Sequence, residues 1–582
     1  MIKVNLQVAI KERIGLFLLF GSLLFIFLVK LPFNSLVICS NVNEGYYFVF
    51  GQKFLNERTL DFPGRTLFIL FYALVEKISG FGTDSIIAIH WIQTVLGFLI
   101  AIVLFILVNY VFQSKLYSGL CVLFWTLMQY VPVGGWGQGT MEGELECSFA
   151  LEAESFCVLF SLISIYCLLK GCLGKTKGQS SFLFSLLAGL CSALSTMFKA
   201  NGAVIAIAVF CLVGYLFLFK REIFYSTITS FVYFFIGLVI SLIVFSLMIC
   251  VFKGDLNFFW QNYFTIGSYN QNFLKSPQAL LLIIWNTMTR YYLCWSNFFL
   301  FLLALISFTW CLIRIFFIRS NTMSSVLFSP LLGIWGIGNF CALIAPGEYS
   351  SYYYVLIWPS MAIAFSIVLQ DLFTLNRALN NNSFKIALVV FLSLFFMNRI
   401  FIVFPAYSLM LKNLKYLDIK YQPESFQEQV KVSFTSDYNS KRPNFLKIAD
   451  LINSFLPDKN DTFYIFNLGE KHLSFTPIIY IYTKRLPSTT IVSDFLRYKK
   501  LTELYSDKLT YDLTHKSPKI IIVPDRLILN NWQVKLLNPF FQCLDVFLQK
   551  NYHFKTRIDY FCSGYLCHSL KEVESYNVYE HN

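Results

Sequence analysis

The chain has 582 residues, of which 57% are hydrophobic and only 14% charged, with a mean hydropathy of +0.60. A water-soluble globule could not cover that much apolar surface with polar side chains, so a soluble enzyme is excluded and a polytopic membrane protein is expected. The net charge of +13 gives no nucleic-acid signal, because the basic residues are spread through short loops and the C-terminal region. Aromatic residues reach 18%, including 64 Phe and 33 Tyr, which suits helices that touch lipid and its interfaces.

Apolar runs of spanning length, roughly 17–25 residues, fall near 14–38, 86–112, 117–133, 149–169, 181–197, 203–219, 226–252, 293–318, 324–345, 352–371 and 384–406, about eleven helices. Lys3, Lys11 and Arg13 precede the first run. No small-residue cleavage site follows, so a retained anchor is expected rather than a signal peptide. With the N-terminus inside, the inner loops carry Lys115, Lys170, Lys175, Lys177, Lys220, Arg221, Arg314, Arg319, Arg377 and Lys385, as basic residues should. The outer face then receives the loops 39–85, 134–148 and 253–292, the turn 346–351, and everything after 406. The fold expected is a polytopic α-helical membrane domain over 1–406, followed by an exoplasmic α/β domain over 407–582.

In that tail the runs Thr462–Phe466, Ile478–Tyr482 and Lys519–Val523 read as strands, and Phe445–Phe455 has helical spacing. Most of the 15 Cys, such as Cys121, Cys157, Cys191, Cys211 and Cys250, lie in apolar runs and act there as small hydrophobes. Cys562 and Cys567 stand close together in the polar tail, where a disulfide is an option in an oxidising compartment. No cysteine has zinc-site spacing, no internal repeat is visible, and Asn460-Asp-Thr462 is a glycosylation sequon of low specificity.

The residues that carry chemistry gather at the outer face. Asn43 and Glu44, with Tyr46 and Tyr47, follow the first apolar run, and a carboxylate at that boundary is functional or paired. An interfacial cap and an aromatic belt are the plain alternative. Glu152 and Glu154 fall at the outer end of the fourth run, and two residues apart they cannot share one helix face. Glu142, Glu144 and Glu146 read as a solvated loop. Lys199 stands alone between the fifth and sixth runs, either snorkelling or held to pair with an anionic lipid head group. Tyr269 and Asn270 close an aromatic, amide-rich segment, and Glu348 and Tyr353 belong to the late Tyr-rich loop.

In this order the segments resemble the GT-C class of membrane glycosyltransferases, specifically the bacterial relatives of protein O-mannosyltransferases and the lipid A aminoarabinose transferase. The family's Asp-Glu-Gly-Tyr-Tyr is similar to Asn43-Glu-Gly-Tyr-Tyr47, and its acid opening the fourth helix to Glu152-Ala-Glu154. Its Gly-Leu-x-x-x-Leu-x-x-x-x-Lys stretch matches Gly189 to Lys199. Its later segments resemble Gly254 to Asn270 and Tyr352 to Pro359. The resemblance implies inverting transfer of a hexosyl or pentosyl group from a polyprenyl-phosphate sugar to an acceptor hydroxyl, which belongs to a lipid, glycan or protein. It implies an integral membrane enzyme, expected in a bacterial inner membrane. It makes a carboxylate the base and Lys199 the partner of the departing phosphate; Asn43, Tyr46, Tyr47, Tyr269, Asn270, Glu348 and Tyr353 would bind substrate. No cofactor is required, and a divalent metal remains an option without a ligand set to hold it.

One position departs from the family. Its first acid is Asn43 here, and an amide accepts no proton usefully at neutral pH. Either Glu44, or one of Glu152 and Glu154, takes the base role, or catalysis is weakened or lost. A non-catalytic relative acting as a binding subunit and a lipid or sugar transporter are the alternatives. A transporter would place ionisable groups at the midplane and repeat its two halves, whereas here the acids cluster at one face.

Overall fold

The computed structural model describes residues 2–34, 42–58, 60, 66–129, 153–174, 179–252, 254, 256, 278, 306–311, 313–314, 323–344, 355–379, 445–466, 476–489, 499–524, 546–561 and 573–582. In chain order the helices are α1 (Ile2–Asn34), α2 (Val42–Glu57), α3 (Thr66–Ser79), α4 (Thr83–Phe112), α5 (Lys115–Gln129), α6 (Ala153–Leu173) and α7 (Gln179–Phe198). A 3-10 turn, Ala200–Ala203, leads to α8 (Val204–Phe219), α9 (Arg221–Val251), α10 (Met323–Ile344) and α11 (Trp358–Leu379). The C-terminal region holds α12 (Phe445–Phe455), β1 (Phe463–Ile465), α13 (Thr476–Thr483), α14 (Lys499–Lys516), β2 (Ile520–Pro524), β3 (Tyr552–Phe561) and β4 (Val573–His581). Two units form: Met1–Phe33, Trp91–Val251 and Tyr263–Leu409 make one, and Asn34–His90, Phe252–Asn262 and Met410–Asn582 the other.

Among the described residues of this integral membrane protein, six stretches are long and apolar enough to cross a membrane: Ala9–Leu31, Asp84–Phe112, Ala153–Leu173, Ser181–Phe198, Ala200–Phe219 and Arg221–Val251. They match six of the expected spans. The described parts of the runs 117–133, 324–345 and 352–371 are also largely helical, within α5, α10 and α11. The run 384–406 and most of 293–318 lie outside the described residues.

In hydrocarbon, apolar side chains gain nothing by leaving lipid, so helices associate through close packing and interhelical hydrogen bonds. The first unit shows both. α7 packs between α6 and α9. Ser164 donates to the Ala188 carbonyl at 2.8 Å, and Ser230 to that of Gly171 at 3.2 Å. Where α7 crosses α9, Gly189 and Gly237 let the backbones touch. A Cβ on Gly189 would collide with the Phe234 carbonyl, and one on Gly237 with that of Leu186. Cys121, Cys157 and Cys191 are buried as expected of small hydrophobes, while Cys211 and Cys250 face outward from α8 and α9. Toward the inner ends expected from the basic loops, Arg314 pairs with Asp371 at 3.3 Å, and the Trp310 indole donates to the same carboxylate at 2.9 Å.

The second unit carries a four-stranded sheet in the order β1-β2-β4-β3, with β1 and β2 parallel and the other pairs antiparallel. The expected strands at Thr462–Phe466 and Lys519–Val523 and the helix at Phe445–Phe455 are present. Ile478–Tyr482, expected as a strand, is instead the core of helix α13. A short unbroken apolar run has no periodicity to separate the two. Pro477 in the first turn, where a missing N–H costs nothing, favours the helix. Strands β3 and β4, unread in the sequence, pair charge across the ladder: Lys555 meets Glu580 at 2.7 Å. The Arg485 side chain gathers carbonyls beyond the end of α12, donating to Asp461 at 3.0 Å and also to Leu456 and Asp458.

The helix crossing gives the first expectation. Gly189→Leu and Gly237→Leu should each cost at least about 1–3 kcal/mol through overpacking. Thermal unfolding of the detergent-purified protein would show a lowered midpoint for both. Gly214→Leu, where an added Cβ meets nothing within 4 Å, should unfold with the wild type. Equal midpoints for all three would remove the close crossing.

Candidate functional site

The segment after the first span is helical. Val42 opens α2, so Asn43 and Glu44 occupy its first turn; their side chains lie outside what is described. Tyr46 and Tyr47 are buried rather than spread along an interface. Tyr46 stacks on Phe50 at 6.3 Å, while Tyr47 meets Phe68 edge-on at 4.6 Å and Tyr72 at 5.4 Å. Such pairs add packing energy beyond their buried area, so Tyr47 ties α2 to α3, while the stack of Tyr46 on Phe50 lies within α2.

The far end of α2 is fixed by a residue the sequence did not single out. Lys53 is 1% exposed, and its ammonium donates to the Thr489 carbonyl at 2.6 Å and the Pro487 carbonyl at 3.2 Å, with Glu57 at 3.4 Å. Burial pushes its titration down from the ordinary 10.5 to about 8, against the pull of Glu57. On α3, Glu76 is also buried, and neither carboxylate oxygen has a hydrogen-bond partner among the described residues. Burial raises its carboxyl well above the usual range. A charged residue one helical turn from another, or one set among the buried positions of an apolar helix, is the sequence signal for both.

The first unit brings two expected residues together. Glu154 lies in the first turn of α6, and Lys199 directly follows α7, so antiparallel packing sets them at the same end of the pair. The Lys199 ammonium bonds Glu154 Oε1. Glu154 is 0% exposed and Lys199 8%, so this lysine is turned inward and does not snorkel. The chain leaves α7 at Lys199 in an extended conformation, φ −159° and ψ 144°, and re-enters helix through the 3-10 turn. Gly202 is required there, because a Cβ would strike the Ser195 carbonyl.

The surroundings of the pair are polar on one side and aromatic on the other. Ser195 donates to the Cys157 carbonyl at 2.9 Å and lies 3.1 Å from the Ser161 hydroxyl. Phe156 and Phe160 stack on Phe198 at 4.5 and 5.7 Å. Gln93 of α4 reaches the Ser155 hydroxyl at 3.5 Å, a long contact. Glu154 Oε2 and Gln93 Oε1 are buried acceptors with no hydrogen-bond donor among the described residues. Glu154 thus has one oxygen committed to Lys199 and one able to accept a further hydrogen bond.

Glu152, Tyr269, Asn270, Glu348, Tyr353, the acids Glu142, Glu144 and Glu146, and the Cys562–Cys567 option all lie outside the described residues. Among the described residues, no group of three or more His, Cys, Asp or Glu is placed to hold a metal.

No protein-family model matches this chain, and no curated protein does. Solved structures are similar. The apo oligosaccharyltransferase of Archaeoglobus fulgidus aligns over 87% of this chain and 69% of its own, with a TM-score of 0.50 and 13% identity. ArnT from Cupriavidus metallidurans, bound to undecaprenyl phosphate, aligns over 97% of both chains with a TM-score of 0.48 and 13% identity. The likeness to the oligosaccharyltransferase is one of fold, and at that level the resemblance to GT-C glycosyltransferases holds.

Two outcomes follow from the buried ions. Removing one partner of a buried pair strands the other, at a cost of about 3–5 kcal/mol. Glu154→Gln and Lys199→Met should therefore each lower the unfolding midpoint, whereas Glu154→Leu combined with Lys199→Met should lose less than the two single losses together. For Lys53 the folded form releases its proton near pH 8 and the unfolded form near 10.5. Between these values the unfolded state holds more protons, so stability rises with pH, by about 3 kcal/mol in all. Chemical denaturation of wild type against Lys53→Met at pH 7.5 and pH 10 should show the wild type gaining on the variant. A wild type that loses ground over that range would contradict the buried ammonium.

Proposed function

We propose that this protein is a membrane glycosyltransferase that moves a hexosyl or pentosyl group from a polyprenyl-phosphate donor to an acceptor hydroxyl at the outer face. The observation that carries the reading is the pairing of Glu154 with Lys199 at one end of α6 and α7, within a fold similar to an oligosaccharyltransferase. The ordered segments Asn43–Tyr47, Glu152–Glu154 and Gly189–Lys199 support it from the sequence.

In this reading a carboxylate, Glu44 first, takes the acceptor hydroxyl proton as its oxygen attacks the anomeric carbon from the face opposite the phosphate. The bond from that carbon to the phosphate oxygen breaks, and the electron pair leaves with the polyprenyl phosphate, which is stable as an anion and needs no acid. Inversion follows from the single displacement. Lys199 supplies the cation for the phosphate, a preorganised electrostatic role, and Glu154 holds it in place. Tyr47, locked against α3, and Tyr46, stacked on Phe50 within α2, position α2 rather than binding sugar directly. Two carbonyls and Glu57 fix Lys53, so positioning of α2 is rigid, which suits a reaction that depends on geometry.

A non-catalytic relative is the second reading, favoured by Asn43 where the family carries an acid. Transfer of labelled sugar from a panel of polyprenyl-phosphate donors to envelope acceptors separates the two. Glu44→Gln should lower transfer by about 10²–10⁴-fold, the usual contribution of a general base, with an unchanged unfolding midpoint. Wild-type transfer by Glu44→Gln would move the base to Glu152 or Glu154. Transfer absent from the wild type across the whole panel would favour the non-catalytic relative.

A further inference from the structure

α3 meets α2 along one stripe. Tyr47 and Phe48 pack on Tyr72 at 5.4 and 4.8 Å, and a Cβ on Gly51 would lie 2.8 Å from the Ala73 amide nitrogen. Glu76 stands four residues beyond Tyr72 and three beyond Ala73, so it continues that stripe by one helical turn. It is 2% exposed, and neither carboxylate oxygen has a hydrogen-bond partner among the described residues. An acid so placed serves neither the packing of the helices nor the candidate site at Glu154 and Lys199.

The charged groups on the surrounding elements turn elsewhere. On α2, Lys53 is bonded to the Pro487 and Thr489 carbonyls, and Glu57 lies 3.4 Å from that ammonium. Lys77 in the same helix, Asp84 at the start of α4 and Lys484 after α13 are exposed. A buried carboxylate with no cation and no donor is too costly to keep charged, so the group keeps its proton. Burial is the one cause that holds its carboxyl well above the usual range. Past Glu76 the chain leaves α3 through Gly80 and Gly82, with φ of +85° and +136°. The end of α3 is thus joined to α4 by glycine backbone rather than by continuous helix.

We propose that Glu76 is a proton-operated latch on the contact between α2 and α3. With its proton, the side chain is neutral and the two helices close. As the pH rises the proton passes to solvent, and the carboxylate finds donors only in water. The charge then favours an α3 parted from α2, which loosens the helix that carries Asn43 and Glu44. The sign follows from linkage: the open form releases the proton in the ordinary carboxylate range, the closed form only above it. Closure is therefore complete on the acid side and is lost as the pH rises. The inference stands whether or not the chain is a transferase.

The test is amide hydrogen exchange of the full chain in nanodiscs, read by peptide mass spectrometry across a pH series and corrected for the intrinsic exchange rate. Wild type is compared with Glu76→Gln, which keeps the shape and is neutral at every pH. Opening of α2 and α3 in the wild type should grow by up to about tenfold per pH unit between the two titrations. In Glu76→Gln it should stay level, and α14 should show no difference between the two proteins. Glu76→Leu, which replaces an unpartnered acid with an apolar side chain, should raise the unfolding midpoint above that of the wild type. Parallel loss of protection in wild type and Glu76→Gln would overturn the latch. So would a Glu76→Gln protein less protected than the wild type at alkaline pH, because the anion would then have a partner. A Glu76→Leu midpoint below wild type at every pH would likewise count against it.

Discussion

A charge buried in a hydrocarbon-facing helical bundle needs a polar partner beside it, and in the first unit Glu154 and Lys199 provide that for each other. Glu154 and Lys199 sit on helices that run in opposite directions, and they meet only where the start of α6 lies beside the end of α7. Every neighbouring feature serves that meeting. The chain breaks helix at Lys199, Gly202 lets the following turn fold back on Ser195, and Ser195 and Ser161 satisfy backbone and hydroxyl groups between the helices. A helix end that would otherwise leave carbonyls open becomes a fixed polar point.

The same economy explains why small residues matter more than large ones between these helices. Outside lipid, burial of Phe and Leu drives association; in lipid they are as well solvated outside the bundle as inside. The exposed faces of α8 and α9 accordingly carry Phe210, Phe217, Ile236, Ile243 and Leu247, and the crossing of α7 with α9 depends on glycine.

In the second unit the determining group is Lys53. A buried ammonium needs acceptors that do not themselves require desolvation of a full charge, and two backbone carbonyls provide them, with Glu57 at the rim. Through it, α2 is tied to Pro487 and Thr489 at one end and by Tyr47 to α3 at the other. The helix that carries Asn43 and Glu44 is therefore held along its length, which is what a site relying on position needs.

Composition and apolar run length alone determined the membrane class and the six spans found among the described residues, because an apolar stretch of spanning length has one stable state in a bilayer. Phe445–Phe455 was legible as a helix because its apolar residues fall on one face. Ile478–Tyr482 was not, since an unbroken apolar run has no face to read. Strands β3 and β4 hid behind charges that pair with each other across the ladder rather than with water. At the candidate site the sequence marked Glu154 and Lys199 separately, and gave no reason to join residues so far apart in the chain. Only tertiary structure decided that they form one ion pair, that Lys199 turns inward, and that Tyr46 and Tyr47 pack on neighbouring rings. Those outcomes depend on which helix ends come together, and that follows from packing between distant segments, which no local pattern records.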